Sequence, residues 1–412
     1  MRMRGILGVA AVCAVVVVSA VYAADAPTAD WPGWLGPNRD GKSPDTGLLQ
    51  EWPQGGPKLA WKATGIGSGY SSATVTGGFV YITGNVKGQL MITALDVDGK
   101  QKWQVAHCPA WNGQHAGARG TVTVSGGLLY LLGDAGKLGC YDAKTGAAVW
   151  SRELMKEFGG RPGPWAYAES PLVVDDMVIV TPGGAKDCIV ALDAKTGKTK
   201  WTSAANGGAA QYSSAIYVTW KGVPMIISAS HAGIFAVDPK DGHMLWSNNF
   251  CAGNVANCPT PAFEDGYVFW ANGYGKGGIC LQLDVADRKV TAKEAWRTRE
   301  MDCHHGGYVI KDGYIYGNHA GGWACLDLKT GKRAWFDRGV GKGSLCCADG
   351  MLYTYGEGGG RMMLVRATPE KFEGKGTLQV QGRGPSWAHP VVIGGRLYVR
   401  YDDTLYCFDV KR

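Results

Sequence analysis

One recurring phrase restricts what this chain can fold into more than any bulk property does. Ala94-Leu95-Asp96 leads to Trp103, Tyr141-Asp142 to Trp150, Ala191-Leu192-Asp193 to Trp201, Val237-Asp238 to Trp246 and Leu326-Asp327 to Trp335. A glycine stands between the Asp and the Trp each time: Gly99, Gly146, Gly197, Gly242 and Gly331. Degenerate copies follow the same order around Asp284 to Trp296 and around Arg366, and a last copy ends at Asp409. The spacing is roughly 45 residues, the period of propeller blades, and it predicts an array of eight units.

Each unit reads as four short strands separated by turns. In the first, strands A, B, C and D are expected over 71–76, 79–83, 89–95 and 100–105. The Asp and Gly fall in the C-to-D hairpin, where a carboxylate can accept from nearby backbone N–H groups and Gly takes the positive φ of a tight turn. The Trp then sits on the outer strand, placed to wedge against a neighbouring blade. With 63 Gly among 412 residues, about twice the usual share, a helical bundle is excluded. The lack of a Gly-X-Y period excludes collagen, and 45% hydrophobic residues with 16 Trp exclude disorder.

The two ends of the array explain one another. The last unit has strands at 390–393, 396–401 and 404–408 but no D strand, whereas 58–63 reads as a D strand carrying Trp61 with no A, B or C before it. Pairing the two closes the ring and removes the exposed edges of an open array. The expectation is an all-β, eight-bladed β-propeller of four-stranded antiparallel blades over 58–412, closed by an N-terminal strand that completes the C-terminal blade.

The first 23 residues carry Arg2 and Arg4, an apolar run from Ile6 to Val18 and small residues near Ala23. They read as a cleavable signal peptide, which sends the chain to the periplasm or outside the cell. Cys13 lies inside the apolar run, so there is no lipobox and no membrane anchor is expected. Residues 24–57, rich in Pro and Gly but holding Trp31, Trp34 and Trp52, read as an arm packed on the propeller. The formal charge of +7 comes without a run of Lys or Arg, which argues against a nucleic-acid partner. A monomer is expected.

The run Ala191-Leu192-Asp193-Ala194-Lys195-Thr196-Gly197-Lys198-Thr199-Lys200-Trp201 resembles the repeat of pyrroloquinoline quinone (PQQ)-type propellers. That superfamily includes quinoprotein alcohol dehydrogenases and the outer-membrane assembly factor BamB. The opening Asp30-Trp31-Pro32-Gly33-Trp34-Leu35-Gly36-Pro37-Asn38-Arg39-Asp40-Gly41 is similar to that of secreted planctomycete-type PQQ-like propeller proteins. The resemblance implies one of two roles: a binding or protein-interaction module, or a PQQ-dependent oxidoreductase acting on an alcohol or sugar. The first is preferred. For the second, PQQ with calcium is the implied cofactor, yet no residue-by-residue transfer of its site is supported.

Sorting the histidines by strand register places seven of eight on the face shared by the D-to-A and B-to-C loops. His107, His115, His304 and His305 fall in or beside D-to-A loops, His231 and His319 in B-to-C loops, and His389 at the start of strand A of blade 8. Arg119, Trp165, Glu169 and Trp387 join them. These residues predict a polar mouth at the channel entrance that receives a small-molecule ligand or a protein partner: imidazoles for proton or metal chemistry, Arg119 for an anion, Trp165 or Trp387 for a planar ring. Glu169, Asp302 and His305 are the candidate catalytic groups. No His-x-x-x-His or Cys-x-x-Cys spacing appears, so no metal site is assigned. Cys251 and Cys258 close one short loop and are the expected disulfide. Cys346 and Cys347, adjacent on a strand, point to opposite faces and are expected to pack as apolar side chains.

Overall fold

The computed structural model describes Met1 and residues 30–412, so the expected signal peptide and the start of the arm lie outside the described residues. Eight four-stranded antiparallel sheets are arranged as blades. Blade 1 runs through Thr74–Thr76, Phe79–Val86, Gln89–Asp96 and Gln101–Pro109. Blades 2 to 7 occupy 123–153, 172–203, 216–248, 262–298, 308–337 and 343–379. Blade 8 takes Val391–Ile393, Arg396–Tyr401 and Thr404–Asp409 and is completed by Lys58–Thr64. In that seam Trp61 pairs with Cys407 and Leu59 with Phe408, which is the expected closure.

The repeated Asp, Gly and Trp act as one device. Asp142 Oδ1 accepts from the Thr145 N–H and hydroxyl, each at 2.8 Å, and Asp193 and Asp327 repeat the arrangement with Thr196 and Thr330. The Gly that follows meets the Trp of the preceding blade: a Cβ on Gly197 would stand 2.7 Å from the Trp150 ring, and one on Gly242 2.5 Å from Trp201. Two of these indole N–H groups donate to a backbone carbonyl of that next blade, Trp150 to Ala194 at 2.9 Å and Trp201 to Pro239 at 3.0 Å. Thus Gly serves the turn and also lets the rings wedge the blades together.

Around the channel, hydroxyls link the inner strands. Ser72 Oγ accepts from the His389 N–H, Thr121 from Ser72, Ser170 from Thr121 and Ser214 from Ser170, at 2.9 to 3.1 Å. These contacts satisfy backbone donors that the crowded centre shields from water. The joint between blades 8 and 1 is further tied by the buried Arg400, which donates to Ser71 Oγ, the Thr83 carbonyl and the Gly67 carbonyl.

The arm crosses the face made by the A-to-B and C-to-D turns. It bridges Trp31 to Val75 in blade 1, Lys42 to Cys347 in blade 7 and Leu48 to Lys411 at the end of the chain. Between these points Trp34 enters the channel and donates to Thr260 Oγ1 at 2.8 Å, while Arg39 donates to the carbonyls of Ser170 and Pro171. Cys346 and Cys347 lie in Gly343–Ala348, and their side chains join two different core clusters, as adjacent strand positions require.

Candidate functional site

The D-to-A loops converge on a cavity of about 250 Å³ at the mouth opposite the arm. Its lining includes Tyr70, Trp165, Tyr212, Tyr274 and Trp387 beside His115, His304, His305 and His389, with Trp34 reaching it from the channel side. The rings touch in sequence. His304 and His305 have centroids 3.6 Å apart, His305 and Trp387 4.3 Å, Trp387 and Tyr70 4.7 Å, and His115 lies 5.2 Å from Trp387 and 6.5 Å from Trp165. Such a wall favours flat or apolar groups while offering several imidazole nitrogens.

Burial favours the uncharged form of His304, His305 and His389. It pushes His304 down to about 3, with His305 and Lys342 adding to the effect, and His389 down to about 4. His305 is lowered by burial as well, although the Glu357 carboxylate opposes this. For Glu357 burial acts upward, but His305 and Lys342 outweigh it and take the carboxyl down to about 2. Its oxygens are held by Lys342 Nζ at 3.1 Å and by the Trp387 N–H at 3.1 Å, and Oε2 stands 4.0 Å from His305 Nδ1.

The structure gathers His115, Arg119, Trp165, His304, His305, Trp387 and His389 as lining groups. The remaining expected residues lie elsewhere. His107 turns into the blades, with Nδ1 2.7 Å from the Tyr141 hydroxyl and Nε2 3.0 Å from the Lys137 carbonyl. His231 is exposed on a B-to-C turn, and His319 accepts the Asp302 N–H and packs on Phe336. Glu169 is buried beneath the lining, where it accepts from the Thr181 N–H and hydroxyl; burial raises it to about 7. Asp302 accepts from the Gly275 N–H and does not line the cavity. Arg119 spends its guanidinium on the carbonyls of His115 and Gly117 and lies 4.0 Å from the buried Asp134, so it fixes its own loop more than it offers an anion site.

The expected Cys251–Cys258 bridge does not form, since both thiols are free. Cys251 packs in the core with Phe250 and Trp270, whereas Cys258 faces the mouth. Asn257, between them, donates to the carbonyls of Ser230 and Cys251 and holds the loop in a course that separates the two.

Tyr70, Tyr212, Tyr274, Trp34 and Glu357 were not singled out from sequence. A signal existed for two of them: Tyr70-Ser71-Ser72 and Tyr212-Ser213-Ser214 repeat one phrase at equivalent entries to blades 1 and 4.

A family model described as outer membrane protein assembly factor BamB matches residues 88–337, and that match covers more than half the chain. The chain belongs to this PQQ-like propeller family. The BamB of Shewanella oneidensis is 25% identical over 218 residues, 52% of this chain and 52% of that protein, so the match spans about half the length of that relative. Among solved structures, BamB from Moraxella catarrhalis aligns with a TM-score of 0.60 at 17% identity, covering 86% of this chain and 99% of that one. A quinohemoprotein alcohol dehydrogenase from Comamonas testosteroni aligns with a TM-score of 0.68 at 16% identity, covering 93% and 81%. At these identities the structures speak to fold alone. Trp34, Glu357, Trp387 and His389 all lie outside the segment that the family model matches. Among the described residues no helix is long and apolar enough to cross a membrane.

Proposed function

We propose that this propeller is a binding module that receives a ligand, or the projecting side chains of a protein partner, in its aromatic mouth. One observation carries the reading: a cavity of about 250 Å³ walled by indole, phenol and imidazole rings, with no carboxylate among its lining groups. Such a wall supplies large apolar contact with a few oriented polar atoms, which is the make-up of a recognition pocket. The name of the matched relative, an assembly factor, favours a protein as the occupant. Export to the periplasm or beyond belongs to this reading and is supported by the charged and apolar pattern of the first 23 residues. So does a division into signal peptide, arm and single propeller.

The second reading is a PQQ-dependent alcohol or sugar oxidoreductase. The flat faces of Trp165 and Trp387 in the lining favour a planar ligand. The donor set does not fit the calcium that accompanies the quinone. Calcium takes roughly six to eight oxygen ligands, whereas the mouth presents imidazole nitrogens, and the carboxylate of Glu357 beside them is held by Lys342 and Trp387. Glu169 and Asp302 are committed to backbone donors and lie off the cavity wall, so neither is placed to take a substrate proton. The test is to titrate purified protein with PQQ and calcium chloride and to follow dye reduction with simple alcohols and sugars. The binding reading expects no stoichiometric quinone uptake and no turnover; either one overturns it in favour of the enzyme.

A further inference from the structure

The two adjacent imidazoles at the mouth hold an unspent donor each. His304 Nδ1 and His305 Nδ1 are shielded from water and have no hydrogen-bond partner. A buried polar atom left in this way is costly, so the position calls for an occupant. One ligand atom from each of His304, His305 and Glu357 lies within 4.8 Å of the others. We propose that these three side chains form a site for a borderline divalent transition ion, Zn²⁺ or Cu²⁺, with its open positions facing the mouth cavity.

The chemistry of the donors sets the class of ion. Two neutral nitrogens and one carboxylate oxygen suit zinc or copper and disfavour calcium or magnesium, which prefer all-oxygen shells. Metal bonds near 2.0–2.2 Å put the ligand atoms of a tetrahedral shell about 3.4 Å apart, so the present separations, within 4.8 Å, have to close by up to about 1.4 Å on binding. The outer shell is in place. His304 Nε2 is 2.9 Å from the Tyr274 hydroxyl, so a metal on Nδ1 leaves Nε2–H to donate there. Lys342 and the Trp387 N–H orient the carboxylate. The histidines sit on the loop into blade 6 and Glu357 follows the second strand of blade 7, so an ion would tie two blades together at the mouth.

This inference is independent of the identity of the ligand or partner. Its test is copper loading of the tag-free full-length chain after chelator dialysis, with electron paramagnetic resonance. Retention of one Cu²⁺ per chain through desalting is expected, with nitrogen superhyperfine lines from two imidazoles and no displacement by excess calcium. Glu357→Gln weakens retention about tenfold or more, and the double variant His304→Gln, His305→Gln abolishes it. His243→Gln, on an exposed turn of the opposite face, leaves it unchanged. Retention below a tenth of an equivalent, absence of nitrogen coupling, or undiminished copper in a folded double variant overturns the site. Should the double variant not fold, the wild-type spectrum decides alone.

Discussion

Trp34 meets His389 edge to face inside the channel, with ring centroids 4.6 Å apart. The first residue comes from the arm and the second from the entry to blade 8, so the segment that covers one face of the disc also forms part of the cavity on the other. The arm is therefore tied to the site and to the fold at once.

Trp34→Ala removes the ring beneath the mouth together with its hydrogen bond to Thr260. Because Trp34 is only partly buried, the expected loss is about 1–3 kcal/mol, with the propeller still folded. Urea unfolding measures it, and the crystal structure of the variant should show the mouth cavity joined to the small void beside Leu35, Tyr308 and Leu345.

The closure seam has its own internal control. Gly99 and Gly77 both have positive φ, 81° and 59°, so an alanine at either is strained. A Cβ on Gly99 would also fall 2.6 Å from the Trp61 ring, whereas one on Gly77 meets nothing within 4 Å. Gly99→Ala should thus destabilise by about 1–3 kcal/mol more than Gly77→Ala, as read from thermal melts of the two. Equal melting temperatures would show that the Trp61 wedge is not tight.

The fold was legible because its determinants are local and repeated. Asp142 with Gly146, and Trp150 with Gly197, carry the turn and the blade contact within one period, so each copy reports the same geometry. The mouth was legible only to the level of which loop a residue occupies. Loop membership put His304, His305 and Trp387 on the mouth face, where they line the cavity, but it does not say which way a side chain turns. His107 belongs to the same face and yet points into the blade, because Tyr141 and the Lys137 carbonyl offer both its nitrogens a partner there. Cys251 and Cys258 failed as a pair for a like reason, since the six residues between them say nothing, as sequence, about the Asn257 contacts that steer the loop. Trp34 lay beyond reach because the arm carries no periodicity.

Acid should weaken the fold through His107 and His389. Burial lowers each to about 4 from an ordinary 6.5, so the folded state favours the neutral ring more than the unfolded chain does. Their contribution is complete above pH 6.5 and is lost as pH falls through 4, on the order of 3 kcal/mol for each. Urea midpoints at pH 7 and pH 4.5 measure the slope, and His107→Gln should flatten it.

Glu169 works in the opposite sense. Burial raises its carboxyl to about 7, with the Thr181 contacts and the Arg39 charge opposing the shift, so the folded state holds a proton that the unfolded chain releases near pH 4.5. Its contribution is present below that pH and declines as pH rises to 7. Glu169→Gln, which cannot ionise, should lose this decline; a variant whose stability still falls over pH 4.5 to 7 by the wild-type amount would assign the effect elsewhere.

The most direct test of the binding account is site-specific photo-crosslinking in the native host. A benzoylphenylalanine replaces Trp165 in the mouth or Lys195 in a C-to-D turn, whose counterpart in blade 2, Lys144, lines the face covered by the arm. The account predicts a discrete adduct from position 165 that is lost when Trp387→Ala is added, and none from 195. No adduct at 165, or equal adducts at both positions, would contradict the mouth as the place where this propeller binds.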